Sequence, residues 1–262
     1  MNNTAPIGIM DSGVGGLTLV RELVKLCPGE DIVYLGDSAN CPYGNRAQED
    51  IFALALSMLR FLQQKGSKVA AIACNTISAL AEPLALQVDI PLLGIVSPVA
   101  EAVTQSGLDQ VGVFATEFTI STQIYTRLIQ AHNPRLKIYG KGSHLLASLV
   151  DSGASEARIE EEIKTELGAL LAHEPLDHVI LGCTHFPIVE DIFQRCFPDV
   201  TFLNPAKEQA KAVISFLREP QTANHQEKGR LSIYTSGNAE PYRSVLARLG
   251  ITECCDIATV SL

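Results

Sequence analysis

At 262 residues, with 47% hydrophobic and 19% charged positions, the chain has the composition of a globular protein able to bury one extended core or two modest ones. A net charge of −9 without a dense Lys/Arg cluster argues against a nucleic-acid surface, and no apolar run approaches the length of a membrane span. The segment Met1-Asn2-Asn3-Thr4-Ala5-Pro6 lacks the charged and apolar regions of a secretion signal, so a cytoplasmic location is expected. There the seven cysteines (27, 41, 74, 183, 196, 254 and 255) are free thiols, and each needs a packing or a chemical reason.

Ile7-Gly8-Ile9-Met10 reads as a first strand running into the turn Asp11-Ser12-Gly13-Val14-Gly15-Gly16. Leu17, Val20, Leu23 and Val24 then recur at helical spacing. Glycines there let the backbone approach a ligand, but the leading Asp11 would repel a pyrophosphate, so a small polar ligand fits better than a dinucleotide. A second strand, 31–35, leads to the loop Gly36–Gly44. A helix from about 47 to 64 is apolar almost all round and is expected to be well buried. The strand Val69–Ala73 ends at Cys74-Asn75-Thr76, and after a helix the strand 91–96 closes a first unit.

A second unit repeats that order. Strand 111–116 ends in Thr116 as the first ends in Ser12, and helix 119–131 and strand 136–139 follow. Helices are expected over 144–150 and 156–171, and the strand Val179–Gly182 then ends at Cys183-Thr184-His185. An offset of about 100–110 residues between the units suggests a duplication. Helix 206–217, a polar turn-rich stretch 219–226, strand 231–235 and helix 239–249 complete the chain. Alternating strands and helices mean α/β with mostly parallel sheets. The expected fold is two similar doubly wound parallel-sheet domains related by a pseudo-two-fold axis. Residues 1–97 with 211–262 would form one domain and 98–210 the other.

Cysteines at the carboxyl ends of two equivalent strands lie where open parallel sheets build ligand crevices. A thiol base needs a helix start or a polar donor beside it, and Cys74 and Cys183 both have these in sequence. Two opposed bases suit the removal of a proton from one face of a carbon and its delivery to the other, which is racemisation or epimerisation. Asn75, Thr76 and Thr184 are candidates to hold an α-carboxylate, and Ser12 with the Pro42-Tyr43-Gly44 turn a second carboxylate. Cys27, Cys41, Cys196, Cys254 and Cys255 are read as packing or inert thiols. His132, His144, His173, His178 and His225 are read as surface or packing residues.

Four ordered blocks carry a resemblance. Gly8–Thr18, Tyr34–Asp37 with Pro42–Gly44, Ala73–Ala79 and Leu181–Pro187 resemble the signature blocks of the glutamate racemases of the Asp/Glu racemase family, across roughly residues 7–205. The resemblance implies a cofactor-independent racemase of two α/β domains with the active site in the cleft between them, which supplies D-glutamate for peptidoglycan and assembles as a homodimer. It also implies that Cys74 takes the α-proton of the D-enantiomer and Cys183 that of the L-enantiomer. Asp11 is then expected beside Cys74 and His185 beside Cys183, with Asp151 in place of the family's Glu, one methylene shorter. Asn75, Thr76 and Thr184 would bind the amino and α-carboxylate groups, and Ser12, Pro42, Tyr43 and Gly44 the side-chain carboxylate. A second departure is Thr235-Ser236-Gly237-Asn238, where the family carries Asp last. Both departures leave aspartate open as the substrate.

Two other readings compete. In a cysteine hydrolase His185 would activate Cys183, but His185 is expected to be poorly placed to deprotonate it directly unless the turn bends, and Cys74 is left unexplained. A two-lobed binding protein gives no reason for paired thiols. No lysine stands in a setting suited to pyridoxal phosphate, and no cysteine or histidine spacing indicates a metal, so neither cofactor nor metal is expected.

Overall fold

The computed structural model describes residues 4–218, 228–252 and 255–262; the turn-rich stretch 219–226 and Cys254 fall outside the described residues. Among the described residues ten strands form two sheets: β1 (Ile7–Asp11), β2 (Ile32–Gly36), β3 (Val69–Ile72), β4 (Leu92–Gly94), β5 (Gln110–Thr116), β6 (Lys137–Ser143), β7 (His178–Gly182), β8 (Thr201–Leu203), β9 (Leu231–Thr235) and β10 (Cys255–Thr259). One sheet runs β10-β9-β2-β1-β3-β4 and the other β6-β5-β7-β8, and all pairings are parallel. The architecture is α/β, as the alternating pattern implies.

The two sheets repeat one plan. The order β2-β1-β3-β4 corresponds to β6-β5-β7-β8. The register corresponds too: Gly8 of β1 pairs with Ala70, four residues before Cys74, and Gly112 of β5 pairs with Val179, four residues before Cys183. Because helices cover both faces of each sheet, β1, β2 and β3 are buried along their whole length, which is why they read as unbroken apolar runs. A single apolar cluster continues from Ile7, Ile9 and Leu17 under the first sheet to Phe114, Phe186 and Phe193 under the second, so the halves share a packed core.

Two helices pass between the halves. Val96–Gln105 leads from β4 to β5. Pro205–Leu217 returns, started by Pro205 and by Asn204, whose Oδ1 accepts the Ala206 amide hydrogen at 3.0 Å. Its buried Gln209 donates from Nε2 to the carbonyls of Ile72 and Leu93, 2.9 Å each, and so ties the returning helix to the carboxyl ends of β3 and β4. That fastening lies two residues before Cys74.

Several elements differ from expectation. Helix Gln48–Gln64 buries only one face, through Ile51, Ala55, Met58, Leu59 and Leu62, while its other positions stay partly open to solvent. The strand expected over 91–96 stops at Gly94, because Val96 already opens the connecting helix. The single helix expected over 119–131 is two, Glu117–Ser121 and Ile124–His132, broken where Gln123 takes a left-handed φ of 52°. Strands β8 and β10 were not expected; β8 has only three residues, too few for a period to show.

Candidate active site

Asp11 closes β1 and is fully buried. Its Oδ1 accepts the Gly13 amide hydrogen at 3.0 Å, and its Oδ2 accepts the Thr184 hydroxyl at 2.9 Å, a bond from one half of the molecule to the other. The turn allows this approach only without side chains: a Cβ on Gly15 would lie 2.3 Å from Thr184 Oγ1. Burial raises the Asp11 carboxyl above its ordinary value, although His185 and its hydrogen bonds oppose the shift.

Cys74 follows β3 and caps the short helix Asn75–Ser78. The thiol is buried and donates to Ser12 Oγ at 3.7 Å. Burial, the nearby Asp11 carboxylate and, last, the sulfur of Cys183 push it up to about 12, against the lowering effect of Ser12 and the Ile77 amide. At neutral pH Cys74 therefore carries its proton. The two sulfurs are close enough that a charge on one is felt by the other.

Cys183 follows β7 at the equivalent place, equally buried, with its sulfur 3.8 Å from His185 Nδ1. His185, expected to be poorly placed for Cys183 unless the turn bends, reaches the sulfur through such a bend. The chain leaves the strand at Gly182, a turn bond runs from the Phe186 amide to the Cys183 carbonyl, and helical φ/ψ at His185 brings its ring back beside the sulfur. On the far side of the ring, Nε2 lies 3.1 Å from Asp151 Oδ1. Burial alone would lower the imidazole, but hydrogen bonds to Asp151, Cys183 and Cys41 outweigh it and raise it well above 6.5. Burial likewise pushes Asp151 up, and the hydrogen bond and charge of His185 overcome it and hold the carboxyl below its ordinary range.

The remaining sequence-predicted residues lie in the loop after β2 and in the helix start after Cys74. Cys41-Pro42 is a cis peptide, followed by a 3₁₀ turn Tyr43–Asn45 whose first amides have no carbonyl one turn back. Tyr43 donates to Asp37 Oδ2 at 2.5 Å, which fixes the turn against β2. Gly44 packs on the second half, where a Cβ would come within 2.6 Å of Thr116 Cβ. Thr76 shares hydroxyl contacts with Thr116 at 3.1 Å and Thr119 at 3.4 Å. Asn75 accepts the Tyr125 hydroxyl at 2.6 Å, while its buried Nδ2 has no protein partner. An amide left unpaired in a dry site is a costly arrangement that a ligand carboxylate would relieve.

Three residues join the site without having been expected there. Tyr125 donates its hydroxyl to Asn75 beside Cys74, and Cys183 lies near enough to help push that hydroxyl up, after burial. Thr119 completes the hydroxyl cluster. Cys41, read as inert, has its sulfur with a carboxylate oxygen of Asp151 and a ring nitrogen of His185 in a group whose atoms all lie within 4.8 Å of one another. The repeat itself pointed to Thr116, the counterpart of Ser12; nothing in the spacing pointed to Tyr125. A cavity of about 440 Å³ opens behind Asp151, lined also by Ile188, Val189 and Arg248, but neither Cys74 nor Cys183 borders it.

Chemically, Cys183, His185 and Asp151 could serve a nucleophile as well as a base. That reading leaves Cys74, Ser12 and Asp11 idle on the other side. No helix among the described residues is long and apolar enough to cross a membrane.

The Asp/Glu/Hydantoin racemase family matches residues 7–213. A glutamate racemase of Desulforudis audaxviator is 33% identical over 265 residues, covering 95% of this chain and 97% of that protein. A glutamate racemase isoform of Bacillus anthracis superposes with a TM-score of 0.90 at 30% identity, covering 100% of this chain and 99% of the other. The enzyme of Francisella tularensis, solved in complex with D-glutamate, gives 0.89 at 32% identity over 99% and 98%. Matched along nearly its whole length, with paired thiols at equivalent strand ends, the chain belongs to the Asp/Glu/Hydantoin racemase family.

Proposed function

We propose that the protein interconverts L- and D-glutamate without a cofactor, using Cys74 and Cys183 as opposed acid–base groups. The carrying observation is that two buried thiols end equivalent strands of repeated sheets and sense each other's charge. Glutamate is preferred over aspartate because the similar proteins above are glutamate racemases and one of them was solved with D-glutamate.

In the L-to-D direction the Cys183 sulfur takes the α-proton while Cys74, protonated at rest, delivers its own proton to the opposite face. The α-carbon loses one C–H bond, passes through a carbanion and gains a C–H bond on the opposite face, while Cys183 goes from thiolate to thiol and Cys74 from thiol to thiolate. The reverse direction begins at Cys74. His185, held by Asp151, stands within reach of the Cys183 proton, and Asp11 is the carboxylate near Cys74. Asn75 Nδ2, Thr76 and Thr184 are assigned to the amino and α-carboxylate groups, and Ser12 with the Pro42-Tyr43-Gly44 turn to the distal carboxylate. Both sulfurs are buried, which suits a reaction needing a dry site and requires the halves to part for the substrate to enter.

Sheet membership supports the two-domain division 1–97 with 211–262 and 98–210. By analogy with the family, the enzyme acts as a cytoplasmic homodimer supplying D-glutamate for peptidoglycan. Circular dichroism of L-glutamate and L-aspartate solutions tests the substrate. Decay of the glutamate signal to zero with aspartate unchanged is expected, and decay of aspartate alone would overturn the assignment.

A further inference from the structure

We propose that Cys41, Asp151 and His185 form a binding site for a thiophilic divalent cation of the zinc class, and that its occupation shuts the enzyme off. The inhibitory half of this proposal rests on the racemase reading; the binding half does not.

The three side chains come from distant parts of the chain: the loop after β2, the end of helix Leu146–Asp151 and the turn after β7. Their ligand atoms converge on one spot. The position a Cβ would take on Gly13 lies 3.0 Å from Cys41 Sγ, 3.0 Å from Asp151 Oδ1 and 3.3 Å from His185 Nε2. The three ligand atoms therefore cluster against one face of Gly13, whose missing side chain lets them approach its backbone.

Zinc binds sulfur at about 2.3 Å and imidazole nitrogen or carboxylate oxygen at about 2.0–2.2 Å, so tetrahedral ligands stand roughly 3.3–3.7 Å apart. Here the Nε2–Oδ1 separation is 3.1 Å and no pair exceeds 4.8 Å. Closing on a cation therefore asks the pair to open by a few tenths of an ångström and the sulfur to draw in. A thiolate, an imidazole and a carboxylate together suit zinc, cobalt or cadmium and disfavour magnesium or calcium, which prefer oxygen alone. With three protein ligands, the fourth position is left for water. The side chain of Asp151 is 25% exposed, which gives the site a solvent-facing mouth.

Binding forms a sulfur–metal bond as the Cys41 thiol proton leaves to solvent, and a nitrogen–metal bond as the Nε2 proton shared with Asp151 leaves to solvent as well. It also replaces the hydrogen bond between His185 Nε2 and Asp151, the contact that aims the ring's Nδ1 at Cys183. The cation thus dismantles the support on the Cys183 side without touching either reacting sulfur.

The test uses the full-length protein, stripped with a chelator and titrated with Co²⁺ and then Zn²⁺. The wild type should bind one equivalent, with the thiolate-to-cobalt charge-transfer absorption of a tetrahedral site, and zinc should displace it. Cys41→Ala and the size-matched Cys41→Ser should lose that band and at least about ten-fold in affinity. Cys196→Ala, a thiol on the distant helix Glu190–Cys196, should behave as wild type. Racemisation, normalised to each protein's metal-free rate, should fall with zinc and recover with chelator in the wild type and Cys196→Ala, and resist zinc in both Cys41 variants. Absence of the band in the wild type, or an unchanged band and zinc sensitivity in the Cys41 variants, would overturn the proposal. A protein that binds the metal as described but racemises nothing would overturn the racemase reading instead.

Discussion

The ends of β3 and β7 occupy the same place in two copies of one sheet plan, yet they hold their thiols in different chemical settings. Cys74 faces a hydroxyl and a buried carboxylate, and its thiol is pushed up to about 12. Cys183 faces an imidazole that is itself backed by a carboxylate. Duplication supplies two sulfurs at matched positions; divergence of the neighbours makes one a ready proton donor and gives the other a partner that can take or return a proton. A symmetric site would have no preferred resting form. Here the Cys74 side is distinguished by a buried thiol held protonated beside a carboxylate.

The largest expected effect comes from removing either sulfur. Cys74→Ala and Cys183→Ala should each lower kcat by about 10²–10⁴-fold, with glutamate binding by calorimetry retained. If one variant kept full turnover, the two ends would not be partners.

Next is the support on the Cys183 side. Asp151→Ala leaves His185 Nε2 buried without its carboxylate, which should cost about 1–3 kcal/mol of stability, read as a lower Tm. The carboxylate raises His185, so its loss should lower the imidazole pKa in an NMR titration. The signs fix the window. Asp151 contributes stability above its ordinary 3.8 and loses it as pH falls through its lowered folded value. His185 contributes below its ordinary 6.5 and loses it as pH rises through its raised folded value. The Tm deficit of the variant should therefore be greatest between those two ordinary values and shrink on either side. A deficit independent of pH would mean the contact is packing alone.

On the Cys74 side the sign is opposite. Asp11→Asn removes a charge that opposes the thiolate, so the pH profile of Cys74 alkylation should move to lower pH while turnover drops. An unmoved profile would mean that burial alone sets this thiol. The smallest effect belongs to the Tyr125 hydroxyl: Tyr125→Phe deletes one buried hydrogen bond to Asn75 and should cost about 0.5–1.5 kcal/mol, with a raised KM.

The paired strands were legible because parallel strands covered on both faces leave continuous apolar runs, and each run stops at a small residue and a cysteine. Ser12 and the Pro42–Gly44 turn could be proposed from the residues themselves, whereas Asp11 beside Cys74 was expected only from the family resemblance. The reach of His185 back to Cys183 was not legible, because it depends on how one turn bends after Gly182 and not on residue spacing. Tyr125 was hidden for another reason: it projects from a helix whose start is set by a left-handed Gln123 that no local pattern announces. Cys41 meets Asp151 and His185 only when the halves are docked, so no window of sequence contains the set.

The account stands on two sulfurs serving opposite faces of one carbon, and isotope placement tests that most directly. L-Glutamate is incubated with the enzyme in D₂O, and both enantiomers are separated at low conversion for α-deuterium analysis. Two opposed bases predict D-glutamate carrying deuterium at the α-carbon and remaining L-glutamate still carrying protium. Equal deuterium in both enantiomers from the first turnovers would mean that a single base works both faces, and would contradict the account.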